Sequence, residues 1–230
     1  ETLTLSGSAT MSSANVGTNS VNAGLFTLGN GSNGGLANNY TVSGGSHTMV
    51  ITQRPLNATL ARQYDATTTS AGSTLSSFDA LQGGETLTMT GSGTAASKNV
   101  ANGIAMASNG TLALANGTGA ASNYSLNSTV INISQTSVDL SGSKTYDGNT
   151  TISNSSVNVA SGLIGSETLS LTGVVNANNA NVGSYSASGG TLNMGSTTIA
   201  LANGANGGLA ANYAINDGNF TIIQRVVGVS

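Results

Sequence analysis

Glu167-Thr168-Leu169-Ser170-Leu171-Thr172-Gly173 decides how this chain is read. Leu169 and Leu171 alternate with hydroxyl residues, the period-two pattern of a strand with one buried face, and the glycine closes it with a turn. Nearly the same heptad stands at Glu85-Thr86-Leu87-Thr88-Met89-Thr90-Gly91 and at Glu1-Thr2-Leu3-Thr4-Leu5-Ser6-Gly7. The step between copies is roughly 80 residues, too long for a solenoid coil and close to the size of a small domain.

Other landmarks keep that step. Asn15-Val16, Asn99-Val100 and Asn181-Val182 form one set; Asn30-Gly31, Asn116-Gly117 and Asn203-Gly204 form a second. Asn39-Tyr40, Asn123-Tyr124 and Asn212-Tyr213 form a third. Each copy closes on an apolar stretch and a glutamine, at Gln53, Gln135 and Gln224, and two copies open on Tyr64-Asp65 and Tyr146-Asp147. The register divides the chain into 1–53, the C-terminal part of a repeat; 54–135 and 136–225, complete repeats; and 226–230, the start of a further one. It implies a window from a longer polypeptide.

The expected fold is mainly β: tandem small β-rich domains arranged as an elongated rod, each with five to seven short strands. Leu87/Met89, Ile104/Met106, Leu112/Leu114 and Leu192/Met194 all alternate with small polar residues, and Asn109-Gly110 suits a tight turn. Helical periodicity is absent. Pro55, the single proline, follows the first repeat junction, where it stiffens the link without interrupting a central strand.

Composition removes several classes of function. Charged residues make up 6% of the chain, against roughly 25% in ordinary soluble domains. The net charge of −3 offers no basic face, which argues against nucleic acid as a partner. No apolar run approaches the roughly 18 residues of a spanning helix, so membrane insertion is not expected. There is no cysteine, so the repeats must hold by β ladders and packing alone.

The recurring titratable residues read as structural anchors: Tyr64, Asp65, Tyr146, Asp147, Glu85, Glu167, Tyr40, Tyr124 and Tyr213. A paired-carboxylate catalytic site repeated in every link of a chain is rare, whereas a structural device recurs as a matter of course. The tyrosines, Tyr146 and Tyr213 among them, are expected in the cores. Asp65 and Asp147 are placed to accept their own downstream N–H groups in Asx turns. Arg62 and Lys144 are expected to pair with the recurring glutamates, and Ala66, standing where the other copy has Gly148, is expected to give a different turn. His47 has no counterpart and reads as an exposed loop residue. No catalytic residue and no cofactor is assigned. The weak calcium candidates are Asp147, Asn149, Asp217 and Asn219, oxygen ligands near glycine turns without the carboxylate density of an established loop. Lys98 and Lys144 are candidates for an internal isopeptide bond to an asparagine.

Gly142-Ser143-Lys144-Thr145-Tyr146-Asp147-Gly148-Asn149, the heptad at 167–173, Asn181-Val182-Gly183-Ser184-Tyr185-Ser186, Asn212-Tyr213-Ala214-Ile215 and Phe220-Thr221-Ile222-Ile223 together resemble the YDG/MBG repeat domains. These occur in large bacterial surface proteins, including filamentous-haemagglutinin-like adhesins of two-partner secretion systems. The resemblance implies a β-grasp-like fold, tandem arrays and an extracellular, cell-surface location. The reading is then a non-catalytic stalk segment of a secreted adhesin or biofilm-matrix fibre. Its partners are neighbouring repeats, like chains by lateral or head-to-tail association, and a host or matrix polysaccharide. The alternatives are a carbohydrate-binding array, which lacks tryptophan for a sugar platform, and an ice-binding surface, whose threonine rows are interrupted.

Overall fold

Along the strand Arg54–Gln63, Leu56, Ala58 and Leu60 are buried while Asn57 and Ala61 face solvent. Val138 and Leu140 do the same along Thr136–Thr145. This is the alternation expected of strands covering a core on one face, and it makes the chain mainly β. Three-residue 3-10 turns are the helical elements among the described residues. The structure, a computed structural model, describes residues 1–22, 26–42, 47–187 and 198–229. Leu192 and Met194, expected to alternate on a strand, lie outside them.

Residues 54–135 hold eight strands rather than five to seven. The surplus comes from short ribbons of three or four residues, such as Thr69–Ala71, too brief to carry a periodic signal. Pro55 is the second residue of its strand, where a missing N–H is tolerated even though the strand has neighbours on both sides.

The chain divides into two compact units that do not follow the sequence register. The first comprises 1–57, 78–89 and 113–128. In it Leu3–Ser6 pairs antiparallel with Thr27–Asn30, and Gly17–Asn22 lies between Thr10–Met11 and Thr48–Ile51. Its core is Leu56, Leu87 and Tyr124, with Phe78, Leu81 and Leu114 packed against them.

The second unit comprises 58–77, 90–112 and 129–230. One sheet runs in the order Val157–Ser161, Thr136–Thr145, Tyr213–Ile223, Gly183–Ala187. Its central pair is parallel, and its outer pairs are antiparallel. Val138 pairs with Ile215 and Asp139 with Asp217, leaving Asn216 as the extra residue of a bulge. The bulge shifts the phase of the strand, so Tyr213 points inward before it and Phe220 and Ile222 after it. Phe220 joins Leu140, Ile152, Val157, Val175 and Ile199 in the core, each side chain contributing about 1.5–3 kcal/mol through burial. A six-stranded sheet in the order Thr69–Ala71, Ser92–Ala95, Ala101–Ser108, Tyr124–Ser134, Arg54–Gln63, Leu75–Phe78 belongs chiefly to this unit.

The glycine that ends the heptad has a steric cause. Gly173 has φ of 80°, and a Cβ there would stand 2.2 Å from the carbonyl oxygen of Thr198. Gly91 has φ of 78°, and its Cβ would stand 2.0 Å from the carbonyl of Thr111. Both the left-handed backbone and the close approach exclude a side chain.

Candidate functional site

Glu167 is the one buried carboxylate among the described residues, at 6% exposure. It lies inside the second unit, two residues after the left-handed Gly165, and its own N–H bonds the carbonyl of Ile164. The hydroxyl of Tyr64 donates to Oε1 at 2.6 Å, and that of Tyr213 to Oε2 at 2.6 Å. The Lys98 ammonium also reaches Oε1, at 3.2 Å. The two phenol rings meet edge to face with centroids 5.6 Å apart. Both rings are 2% exposed.

A carboxylate taken out of water is tolerable only when its lone pairs are satisfied. Burial pushes the Glu167 carboxyl up, but the hydroxyls of Tyr213 and Tyr64 and the Lys98 ammonium outweigh it and hold the group below the usual range. Burial, and then the bond to Glu167, push the Tyr213 phenol up to about 12. Such a cluster fixes geometry: charge-assisted bonds from three directions leave the carboxylate little freedom.

Amide side chains extend the same junction. Asn212, fully buried, accepts the Val100 N–H at 2.9 Å and donates to Asn99 at 3.1 Å. The Gln135 amide donates to the carbonyls of Ala211 and Tyr213 at 3.1 and 2.8 Å. Asn203 caps the turn Ala210–Asn212 by accepting the Ala210 N–H at 2.9 Å. Residues of 54–135 thus grip residues of 136–225 through Tyr64, Lys98, Asn99, Val100 and Gln135.

The first unit repeats most of this around Glu85. The Tyr124 hydroxyl bonds Glu85, and the Gln82 N–H donates to that hydroxyl at 3.3 Å. Asn123 accepts the Val16 N–H and donates to Asn15, each at 2.9 Å, and Gln53 donates to the Ser122 carbonyl at 3.1 Å. Two members of the Glu167 cluster have no equivalent: Ala14 stands in the place of Lys98, and no second phenol reaches Glu85 among the described residues. Tyr40 bonds Glu1 at the surface.

Tyr64, Tyr124 and Tyr213 are therefore the core anchors the sequence suggested. Tyr146 is not: it is 41% exposed, and Tyr40 is 44% exposed. Tyr146 takes the backbone position of Tyr64, its N–H on the Ile223 carbonyl, but no carboxylate receives its hydroxyl among the described residues. Asp65 and Asp147 form the expected Asx turns, accepting the N–H groups of Thr67 and Asn149 at 2.9 Å. Arg62 and Lys144 pair with these aspartates, not with the glutamates, because they lie three residues before them at the same turn.

Lys144 lies among the oxygens of the calcium candidates Asp147 and Asn149. Its ammonium donates to Asp147 Oδ1 at 2.7 Å and to the carbonyls of Asn149 and Thr151 at 2.6 and 2.9 Å. The oxygens that a cation would need already surround a charged nitrogen. Asp217 and Asn219 lie within the strand Tyr213–Ile223, opposite Asp139 and Ser141, and not in the expected turn. No cluster of three or more His, Cys, Asp or Glu suited to a metal occurs among the described residues. Both lysines proposed for an isopeptide bond are engaged in ion pairs. His47 is exposed.

Sequence reasoning missed the joint roles of Lys98, Asn99, Asn212 and Gln135. The amides recur visibly, but recurrence does not say which copy an amide reaches into, and Lys98, with alanine at both matched positions, does not recur at all.

A YDG domain is found at residues 52–131. No curated protein matches the chain, and no solved structure matches it. No helix among the described residues is long and apolar enough to cross a membrane.

Proposed function

We propose that this chain is a non-catalytic spacer: a stalk segment, built from small β-rich repeats in a row, of a long secreted or cell-surface bacterial adhesin or matrix fibre. The observation that carries the reading is the closed Glu167 cluster. Every oxygen of that carboxylate is occupied by a residue from the chain itself, and those residues come from two successive repeats. A joint of that kind resists bending and pulling, which is what a spacer needs, and it offers no open position to a substrate. The YDG match over 52–131 supports the same reading through the domain type.

Small-angle scattering tests it. A spacer of repeats in a row has a radius of gyration well above the ~17 Å of a compact chain of this length. A value near ~17 Å sinks the rod. Antibodies against the chain should label intact source cells; labelling only after lysis sinks the surface location.

A further inference from the structure

In the second unit, the strand Thr136–Thr145 meets a bulge on each side at the same place. On Tyr213–Ile223 the extra residue is Asn216. On Val157–Ser161 it is Ala160, since Leu140 pairs with Val159 and Asp139 with Ser161. A bulge re-aims the side chains beside it, and here both act on Asp139. The Ser161 hydroxyl donates to Asp139 Oδ2 at 2.8 Å, and the Asn216 amide to Oδ1 at 3.1 Å. Ser161 and then Asn216 hold the carboxyl below its ordinary range, so it is ionised at neutral pH. A carboxylate accepts about four hydrogen bonds, so acceptor capacity remains after these two.

That carboxylate lines a groove of about 660 Å³, together with Ser141, Ser161, Ser186, Asp217 and Asn219. The register brings these side chains together. Asp217 stands opposite Asp139, and Asn219 opposite both Ser141 and Ser186. The sister repeat shows that the sheet does not need the carboxylate. There Asn57 takes the place of Asp139, Ser128 that of Asp217 and Val130 that of Asn219. Asn127 donates to Asn57 at 2.9 Å as Asn216 does to Asp139, so an amide suffices to hold that contact. The Asn57 side chain is moreover closed on the chain itself, receiving Ser128 at 2.6 Å and donating to Asp79 at 2.7 Å. A structural device recurs in both repeats; the acidic, amide-lined groove does not.

We propose that this groove binds a neutral glycan, whose hydroxyls donate to Asp139 and Asp217 and accept from Ser141, Ser186 and Asn219. The chemistry of the lining selects that class. Short hydroxyl, amide and carboxylate groups on both sides of a groove suit a ligand that is donor and acceptor at every ring position. Two carboxylates and no lysine or arginine among the lining residues repel an acidic chain. No aromatic ring lines the groove, so recognition is by hydrogen bonds and the affinity is modest. The inference goes beyond the spacer reading and does not rest on it. Its failure leaves that reading standing, because scattering tests the rod separately.

The experiment applies the whole chain to an array of oligosaccharides of glucose, galactose, mannose and N-acetylhexosamines, with uronic-acid and sulfated oligosaccharides beside them. Neutral spots should bind and acidic ones should not. The best neutral oligosaccharide is then titrated in solution with amide chemical shifts recorded. Binding should saturate, and the shifted amides should cluster at 139–141, 160–161, 186 and 217–219. Asp139→Asn should weaken binding about tenfold, the loss of one hydrogen bond to a charged group. Ser186→Leu fills the groove from an exposed position and should abolish binding with the circular dichroism spectrum and melting temperature unchanged. No binding by any neutral oligosaccharide, equal binding by acidic ones, or shifts elsewhere would overturn the proposal. So would an Asp139→Asn chain that melts lower yet binds as tightly, which would leave Asp139 a purely structural residue.

Discussion

Ala66 and Gly148 hold the same left-handed backbone, with φ of 61° and 81°, at matched places in two Tyr-Asp turns. The alanine was expected to change the turn and does not; the aspartate bonds on either side impose it. An L-residue pays about 1–2 kcal/mol for that conformation, partly offset by the chain entropy it removes when unfolded. Ala66→Gly should therefore stabilise the second unit by about 0.5–1 kcal/mol. Urea denaturation checks this, and a loss of stability would show that the alanine methyl makes a compensating contact.

The Glu167 cluster should be the most sensitive place in the second unit. Tyr213→Ala removes a fully packed ring and should cost about 3–5 kcal/mol. Tyr213→Phe removes only the hydroxyl and should cost about 1.5–3 kcal/mol, the range for a hydrogen bond to a charged group. In a double-mutant cycle with Glu167→Gln the two effects should be non-additive. Strict additivity would mean that the bond contributes nothing beyond packing.

Stability should depend on pH at both ends of the scale. The Glu167 carboxyl is held below its ordinary value, so its contribution is present above about 4.5 and fades as pH falls through the lower folded value. Asp147 is lowered by the Lys144 ammonium and then by the Asn149 N–H, and Asp139 by Ser161 and Asn216, so both act in the same direction. Tyr213 is raised from 10.0 to about 12, so its contribution is complete below pH 10 and lost between there and about 12. Melting temperatures across pH 3 to 12 check both limbs. A fold that gained stability on acidification from pH 5 to 3 would contradict the sign.

Removing divalent cations should change nothing. Lys144 already fills the ring of oxygens at Asp147, Asn149 and Thr151. Thermal melting with and without EDTA should coincide, whereas Lys144→Met should lower the melting point by leaving those oxygens without their donor. A drop with EDTA, reversed by Ca²⁺, would place a metal among those oxygens instead of the ammonium.

The β class and the anchors Tyr64, Tyr124 and Tyr213 were legible because alternation and recurrence both survive in a single sequence. So was the Asx role of Asp65 and Asp147, which is local. Three things were not. The Asn216 bulge breaks the alternation by one residue, and a single residue carries no period. Tyr146 looks identical to Tyr64 in sequence, and only its surroundings separate an exposed ring from a buried one. The pairing of Lys98 with Glu167 spans 69 residues and depends on a sheet order that no local motif encodes.

The bonds at this joint close very long loops: 103 residues from Tyr64 to Glu167, and 112 from Val100 to Asn212. Contacts of such sequence separation form slowly, since the loop entropy is lost before any contact offsets it. As the chain emerges from a ribosome, Tyr64 and Lys98 wait without their carboxylate until residue 167 has cleared the exit, and Asn99 waits until residue 212 has. The order of assembly thus runs backwards along the chain. Each earlier segment matures only when a later one arrives, so a nascent chain stays loosely joined, and hence threadable, near its growing end.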